Sequence, residues 1–437
     1  MEPKATERNE KSHLSRRQFV QGSLVAAGAT VLQGVSAVHA GGGEPIRICL
    51  VGCGKRGQGA VAQIMNSRHP TKIISMADAF ADAVEKSVAV ISEAHPDKFD
   101  VPPERRFVGF DAYKHAIDVD GVDLVVFATP PGFRPPHVAY AVEKKKHVFM
   151  EKPVAVDAPG VHSVLESTRR AKQQNTMLAV GLQRHHMPRY QETIKRLQDG
   201  AIGDILYTRA YWNDSGVWVR ARKPGQSEMD YQMRNWYYFV WLCGDHILEQ
   251  HIHNIDVINW LKGSYPVRAS GLGGRQVRTG IDHGEIFDHF SIEFEYADGS
   301  HLYSQCCQLP GGPQHVAEYA HGSKGKSKID AGRIDGENAW TYDKAWISGH
   351  QQEQLNLVDA LVKGEVYNEG EYGAMSTMSA ILGRMAAYSG QEIRMADALK
   401  SRVNSMPGRL AWDANPPTLP GADGYYKIPI PGQTQVL

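Results

Sequence analysis

Cysteine is scarce in this sequence, with five among 437 residues and no CxxC pair. That excludes a disulfide framework or a zinc knot, and leaves Cys49, Cys53, Cys243, Cys306 and Cys307 as small hydrophobes for the interior. Neither sign of charge dominates, since 48 basic residues stand against 48 acidic ones. A polybasic run is also missing, so neither nucleic acid nor an anionic membrane surface is an expected partner. Internal repeats and coiled-coil heptads are absent too. What is there, 42% hydrophobic and 22% charged, is the composition of a globular chain too long for one ordinary core. Two domains are expected.

A long apolar run is lacking even at the N-terminus. "SRRQFVQGS" carries Arg16 and Arg17, the moderately apolar "LVAAGATVLQGVSAV" follows, and "VHA" ends at Ala40. These are the parts of a leader: basic region, apolar region, small-residue cleavage site. The arginine pair followed by Phe19 is similar to a twin-arginine export signal. Two glycines and little leucine make the apolar region a poor permanent span. Residues 1–40 are therefore expected to be a signal peptide, cleaved or kept as an anchor. The protein is then periplasmic or otherwise extracytoplasmic, with the twin-arginine machinery as a partner. That route carries folded proteins.

The first folded residues carry the strongest motif. "IRICLV" (46–51) reads as a strand, Gly52, Gly54 and Gly57 fit GxGxxG, and an amphipathic helix follows from about Gln58. The first glycine permits a tight turn, the second lets backbone approach a pyrophosphate, and the third lets helix pack on strand. Unpaired N–H groups at the helix start favour the phosphates. The next strand, "KIISMAD", ends in Asp78, placed to accept hydrogen bonds from ribose hydroxyls. No Arg or Lys follows it to receive a 2′-phosphate, so NAD is expected over NADP.

Strand and helix then alternate. "VDLVVFATPP" ends in a loop with Thr129 and Pro130, a helix runs from about His137 to Lys145, and "HVFMEKP" ends in Glu151 and Lys152. A helix near 158–174 and the strand "MLAVGL" follow. This is an α/β pattern, a Rossmann-type doubly wound parallel sheet over residues 44–175 with ligands at the strands' carboxyl ends. The cofactor side chains expected there are Lys55, Arg56, Asp78, Thr129, Pro130, Glu151 and Lys152, beside the three glycines. After a helix near 189–199 the pattern changes. "ILYTRAYWND", "VRASGLGG", "FDHFSIEFEY" and "HLYSQCCQL" are longer alternating strands, the last two joined by "ADGS". Residues 176–405 therefore read as an α+β substrate domain with a large, mostly antiparallel sheet and helices near 350–363 and 373–389. Residues 406–437 are a proline-rich tail expected to wrap the surface without regular structure.

The glycine motif, "FATPP", "EKP" after the fifth strand, and an acidic, His-bearing helix before an antiparallel sheet have a parallel. Together, over roughly 45–400, they resemble the glucose–fructose oxidoreductase/inositol dehydrogenase/MocA family. The resemblance implies an NAD-dependent oxidoreductase of sugars or polyols, and one branch of the family cleaves glycosides with a recycled cofactor. It implies that Lys152 reaches nicotinamide and substrate, with a cis bond before Pro153. The family's helix pattern, D-x-G-x-H-x-x-D, falls here on Glu249, His251, His253 and Asp256, so a Glu and a His replace the first Asp and the Gly. His253 matches the proton-transferring histidine.

"DHILEQHIHNID" is the densest stretch of titratable groups in the chain. On one helix, His246, Glu249, His253 and Asp256 would share a face, with His251 pointing elsewhere. A base beside a carboxylate suits proton removal from an alcohol, and Lys152 would stabilise the alkoxide. Metal binding by His246, Glu249 and His253, or a merely solvated helix face, are the alternatives. Proton transfer is favoured, with Lys152, His253 and Glu249 as catalytic residues and no metal. Sugar binding calls for aromatic faces and bidentate donors, so Trp236, Tyr237, Arg184 and His246 are the substrate candidates, and a homo-oligomer is the expected assembly.

Overall fold

The computed structural model describes residues 43–437. The expected leader, with Arg16 and Arg17, lies outside them, as does Ala40. The described residues form one compact unit, in which two sheets are built from separate stretches of chain. No helix among the described residues is long and apolar enough to cross a membrane.

The first sheet has six parallel strands: β1 (Ile46–Val51), β2 (Thr71–Asp78), β3 (Arg106–Val108), β4 (Leu124–Phe127), β5 (His147–Met150) and β6 (Leu178–Val180), in the order β3-β2-β1-β4-β5-β6. Strand order, not strand direction, switches between β1 and β4, which opens a crevice at their carboxyl ends. Both sheet faces are buried. Along β1, Ile46, Ile48 and Leu50 enter one apolar cluster while Cys49 and Val51 enter another. The domain boundary expected at 175 falls one strand too early, because β6 completes this sheet. Leu357 and Val358, from a helix expected in the second domain, cover the face that Ile48 and Leu50 present.

The second sheet has nine strands: β7 (Ile205–Asp214), β8 (Arg268–Gly274), β9 (His289–Glu295), β10 (His301–Gln308), β11 (His315–Gly322), β12 (Gly325–Lys328), β13 (Arg333–Gly336), β14 (Trp340–Thr341) and β15 (Ile393–Arg394). Their order is β14-β13-β12-β11-β7-β10-β9-β8-β15, antiparallel except where β10 runs parallel to β7. The "ADGS" turn joins β9 to β10 as expected, with His301 opposite Glu295. One face is packed by the helix Gly370–Ser389, so closely that a Cβ on Gly383 would stand 2.7 Å from the Phe294 ring. All five cysteines are free and buried.

Helix starts differ from expectation by a few residues. The helix expected from His137 begins at Arg134, since Pro135 and Pro136, its second and third residues, need no N–H partner in the first turn. The larger departure is in "DHILEQHIHNID". It is not one helix but two, His246–Glu249 and Ile252–Lys262, separated at Gln250 and His251.

Candidate active site

The glycine loop follows β1 directly. Gly52 has φ +98°, and a Cβ there would meet the backbone of Ala128 and Thr129 at 2.6 Å. A Cβ on Gly57 would stand 2.1 Å from the Gly52 carbonyl, so only glycine lets this helix approach the turn. Gly54 is different: its Cβ would point into open space. The helix Lys55–Met65 that follows has no side-chain cap and no acid in its first turn, leaving its N–H groups free for phosphate oxygens. A cavity of about 180 Å³ runs from Gly52 and Gly54 past Asp78 to Phe80, Phe110 and Trp236. Asp78 accepts from the N–H groups of Cys53 (2.8 Å) and Phe80 (3.0 Å), which fixes its carboxylate at the cavity wall. Burial raises its pKa, and those two N–H groups oppose the shift. A cradle with one open glycine, free helix N–H groups and a ribose-side carboxylate fits a dinucleotide.

Beyond β5, "EKP" meets the broken helix. The Lys152–Pro153 bond is cis. Lys152 Nζ donates to the backbone carbonyl of Glu249 at 2.5 Å and lies 3.4 Å from its Oε1. In an unbroken helix that carbonyl would accept from the N–H of His253. Here the His253 N–H turns to the carbonyl of Gln250 (3.4 Å), and the Glu249 carbonyl is left for the ammonium. The break therefore docks the lysine. Arg134, fully buried, ties the neighbouring loops together by donating to the carbonyls of Thr129 (2.7 Å) and Pro153.

The continuous stripe expected along 246–256 does not form. Asp256 turns to His185 Nε2 (2.8 Å) and the Ser376 hydroxyl (2.7 Å), so it is not the carboxylate that orients His253. His253 stacks instead on Trp212 of β7, at 5.8 Å between ring centres, and its Nδ1 has no hydrogen-bond partner among the described residues. His246 is fully buried, bonded to Asp245 (2.9 Å) and packed on Phe290 at 5.0 Å. Asp245 also accepts from Phe287 N–H and the Tyr388 hydroxyl, a structural junction. His251, expected elsewhere, is also buried, against the Ser304 hydroxyl (2.7 Å).

Other expected side chains are committed to different partners. Arg184 is locked in a buried ion pair with Glu318, which also accepts from Tyr190 and Asn254. The Tyr237 hydroxyl accepts from Gln308 (2.6 Å). Trp236 lines the nucleotide cavity. Arg56 turns from the phosphate side to pair with Glu151 and Glu353 (3.4 Å), whereas Lys55 is exposed at the helix start. Thr129 and Pro130 line the cavity as expected, but Lys152 and His253 do not. Sequence reasoning missed Trp212, Glu353, and His350, whose Nδ1 lies 3.4 Å from Glu353 Oε1. The alternation of Thr208, Ala210 and Trp212 along β7 could have flagged Trp212 as inward-facing, but no local signal marks the other two.

The electrostatics are those of a buried, crowded cluster of charges. Burial drives His253 well below its ordinary pKa, reinforced by the positive charges of Lys152 and Arg184, so its imidazole is neutral. Burial raises Glu249, against the pull of Lys152 and Arg134. Burial and the neighbouring Glu151 raise Glu353, against Arg56. One oxygen of Glu249 and one of Glu353 have no hydrogen-bond partner among the described residues. Buried polar atoms left open in this way are what a polar ligand would complete.

Residues 46–182 match the family model described as an oxidoreductase family with an NAD-binding Rossmann fold, and residues 190–328 match that family's C-terminal domain. The chain belongs to the Gfo/Idh/MocA family. It is 26% identical over 281 residues to an inositol 2-dehydrogenase of Rhizobium meliloti, covering 64% of this chain and 74% of that one. A glycosyl hydrolase family 109 protein of Shewanella sp. (strain ANA-3) is 28% identical, covering 52% of this chain and 50% of that one. The chain spans little more than half the length of several other curated relatives. Among solved structures, scyllo-inositol dehydrogenase of Lactobacillus casei with bound NAD(H) and scyllo-inositol superposes with a TM-score of 0.61 at 17% identity. That match covers 81% of this chain and all of the other. It establishes the fold.

Proposed function

We propose that this family member is an exported NAD-dependent oxidoreductase that moves hydride between nicotinamide and a hydroxyl of a sugar, polyol or glycoside. The observation that carries the reading is the docking of Lys152 onto the broken helix at Glu249, where the helix carrying His253 begins. Gly52, Gly54, Gly57 and the N–H groups of Lys55–Met65 would hold the pyrophosphate, and Asp78 the ribose. Asp78 favours NAD over NADP, because a 2′-phosphate would meet its carboxylate. When bound, the nicotinamide supplies the hydride acceptor or donor.

The chain's own groups handle the proton. Lys152, its ammonium already oriented by the Glu249 carbonyl, polarises the hydroxyl oxygen and stabilises alkoxide character. His253 is uncharged and accepts the hydroxyl proton, held by its stack on Trp212 rather than by a carboxylate. The carbohydrate class is supported by the similarity to the inositol 2-dehydrogenase. The leader supports a periplasmic site, where a tightly held cofactor avoids the need to recycle free NADH. Assembly as a homo-oligomer belongs to the same reading.

The similarity to the family 109 protein favours one alternative, a glycosidase working by transient oxidation, elimination, hydration and re-reduction. Product analysis separates the two. Accumulating oxidised carbohydrate supports the dehydrogenase, and release of an aglycone with no net NADH supports the glycosidase. For export, replacing both Arg16 and Arg17 by lysine keeps every charge and should hold the precursor in the cytoplasm. Mature-length protein outside the cytoplasm in that variant would overturn the assignment.

A further inference from the structure

The nucleotide cavity has a wall that the parallel sheet does not supply. Past Asp78, where the adenosine end of a dinucleotide lies, the cavity is lined by Arg220, Met233 and Trp236, all inserted between β7 and β8. That insert is itself covered by the C-terminal tail. Tyr426 donates to Glu228 (2.6 Å) and accepts from Arg222 (2.9 Å), its ring packs on Phe239, and the Thr418 carbonyl accepts from Gln232 (2.8 Å). The tail therefore has no regular structure, as its prolines predict, but it is bonded at several points rather than loose.

Insert and tail meet the nucleotide domain around Phe80 and Phe110, and the tail is also tied to it where Asp157 accepts from the Ser405 N–H at 2.7 Å. Trp412 of the tail packs on Phe80 (5.1 Å) and Phe110 (4.6 Å), two rings that line the cavity from the loops after β2 and β3. Arg234 of the insert lies 4.0 Å over the Phe80 ring and pairs with Asp82 at 3.0 Å. Met229 and Tyr231 of the insert, with Phe133 after β4, form a separate apolar cluster against which Phe80, Phe110 and Met406 pack. These contacts cross from insert and tail to the loops that border the adenosine end.

We propose that the 215–236 insert and the 405–426 tail form a built-in strap over the adenosine end of the cleft, latched by Trp412 on Phe80 and Phe110, which slows nucleotide exchange. The proposal rests on the reading of Gly52–Gly57 as a dinucleotide loop. It deepens that reading by naming what would hold the cofactor through turnover. The latch is suited to reversible opening. Trp412 keeps 37% of its surface in water, so it seals by one face while the other stays solvated. The Arg234–Asp82 pair is half-exposed, and such pairs contribute little individually. Ring contact is expected to dominate.

The test is a chase. Full-length protein is loaded with radiolabelled NAD, excess unlabelled NAD is added, and retained label is followed by filtration. Trp412→Ala should release label about tenfold faster than wild type, the scale of one lost aromatic contact. Trp412→Phe should restore most of the retention. If Trp412→Ala fails to fold, Arg234→Ala carries the test, with a smaller acceleration expected from losing the cation over Phe80. Equal release rates in wild type and all folded variants would overturn the strap while leaving the dinucleotide site standing. A wild type that binds no NAD at all would instead sink the underlying reading, and the strap with it.

Discussion

The nucleotide cleft and the Lys152–His253 pocket lie at the ends of neighbouring strands, yet they are built on opposite principles. The cleft is made by backbone: three glycines, free helix N–H groups and a carboxylate already satisfied by two N–H donors. The pocket is made by side chains drawn from distant segments, buried and charged, with polar atoms left unpaired. A backbone site needs one residue type at fixed spacing, so it survives in a short motif. A side-chain site depends on where the chain breaks and turns.

The contrast predicts where mutations act. The largest effects belong to the pocket. Lys152→Met and His253→Ala should each lower turnover by about 10²–10⁴, the usual span for acid–base and electrostatic groups, with NAD affinity nearly unchanged in titration. His246→Ala should instead lower the melting temperature, because His246 packs on Phe290 and Asp245. Equal losses of turnover at His246 and His253, reversed by added divalent ion, would favour a metal site.

Acid should expose how deeply several histidines are buried. Burial holds His137 and His251 down to about 3 and His253 well below its ordinary value, while the unfolded chain takes up these protons near 6.5. Below that pH the unfolded state binds more protons, so stability is lost as pH falls, by up to about 1.4 kcal/mol per pH unit for each histidine. Glu285, pushed up to about 7 by burial, works the other way, as do Glu318 at about 6 and the raised Glu249 and Glu353: each takes up its proton in the fold first and offsets a histidine. Denaturant titrations between about pH 7 and about pH 5 should therefore show a His137→Phe variant, which lacks one such imidazole, losing less stability than wild type. Equal pH slopes in the two proteins would mean that the His137 imidazole is not kept neutral.

Within the cleft, two glycines should separate. Gly57→Ala forces a Cβ against the Gly52 carbonyl and should cost about 1–3 kcal/mol of stability. Gly54→Ala meets open space and should leave the melting temperature alone while weakening NAD binding. If both variants behave alike, the second glycine is not reserved for a ligand. The smallest effect is expected at Asp78. Asp78→Ala should weaken NAD by about 1 kcal/mol, the net worth of a hydrogen bond, and narrow the preference over NADP. A wild type that binds both nucleotides equally would contradict that role.

How much of this was legible follows from the same contrast. Strand β1, the glycine turn, Asp78 and the "EKP" loop could be read directly, because local pattern sets them. The break at Gln250 and His251 could not, since neither residue is a helix breaker. The partner that takes the freed carbonyl, Lys152, lies 97 residues away in sequence. Glu353 and His350 reach the pocket from a helix that packs on the first sheet, which no local spacing announces. The parallel pairing of β7 with β10 within an antiparallel sheet is likewise a matter of crossover, invisible in alternation alone. Arg184 and Tyr237 were chosen for chemistry that suits sugars, and the fold uses them for buried ion pairing and hydrogen bonding instead.

The central claim is that a nucleotide in the glycine cleft exchanges hydride with a carbohydrate beside Lys152. The most direct measurement is a single turnover: NAD-loaded protein mixed with a panel of sugars, polyols and glycosides, watching the near-ultraviolet absorption of reduced nicotinamide. Wild type should develop that band with at least one of them, and Lys152→Met, carrying the same amount of NAD, should develop it at least about 10² more slowly. Equal rates in the two proteins, or no band from the loaded wild type with any carbohydrate, would contradict the account.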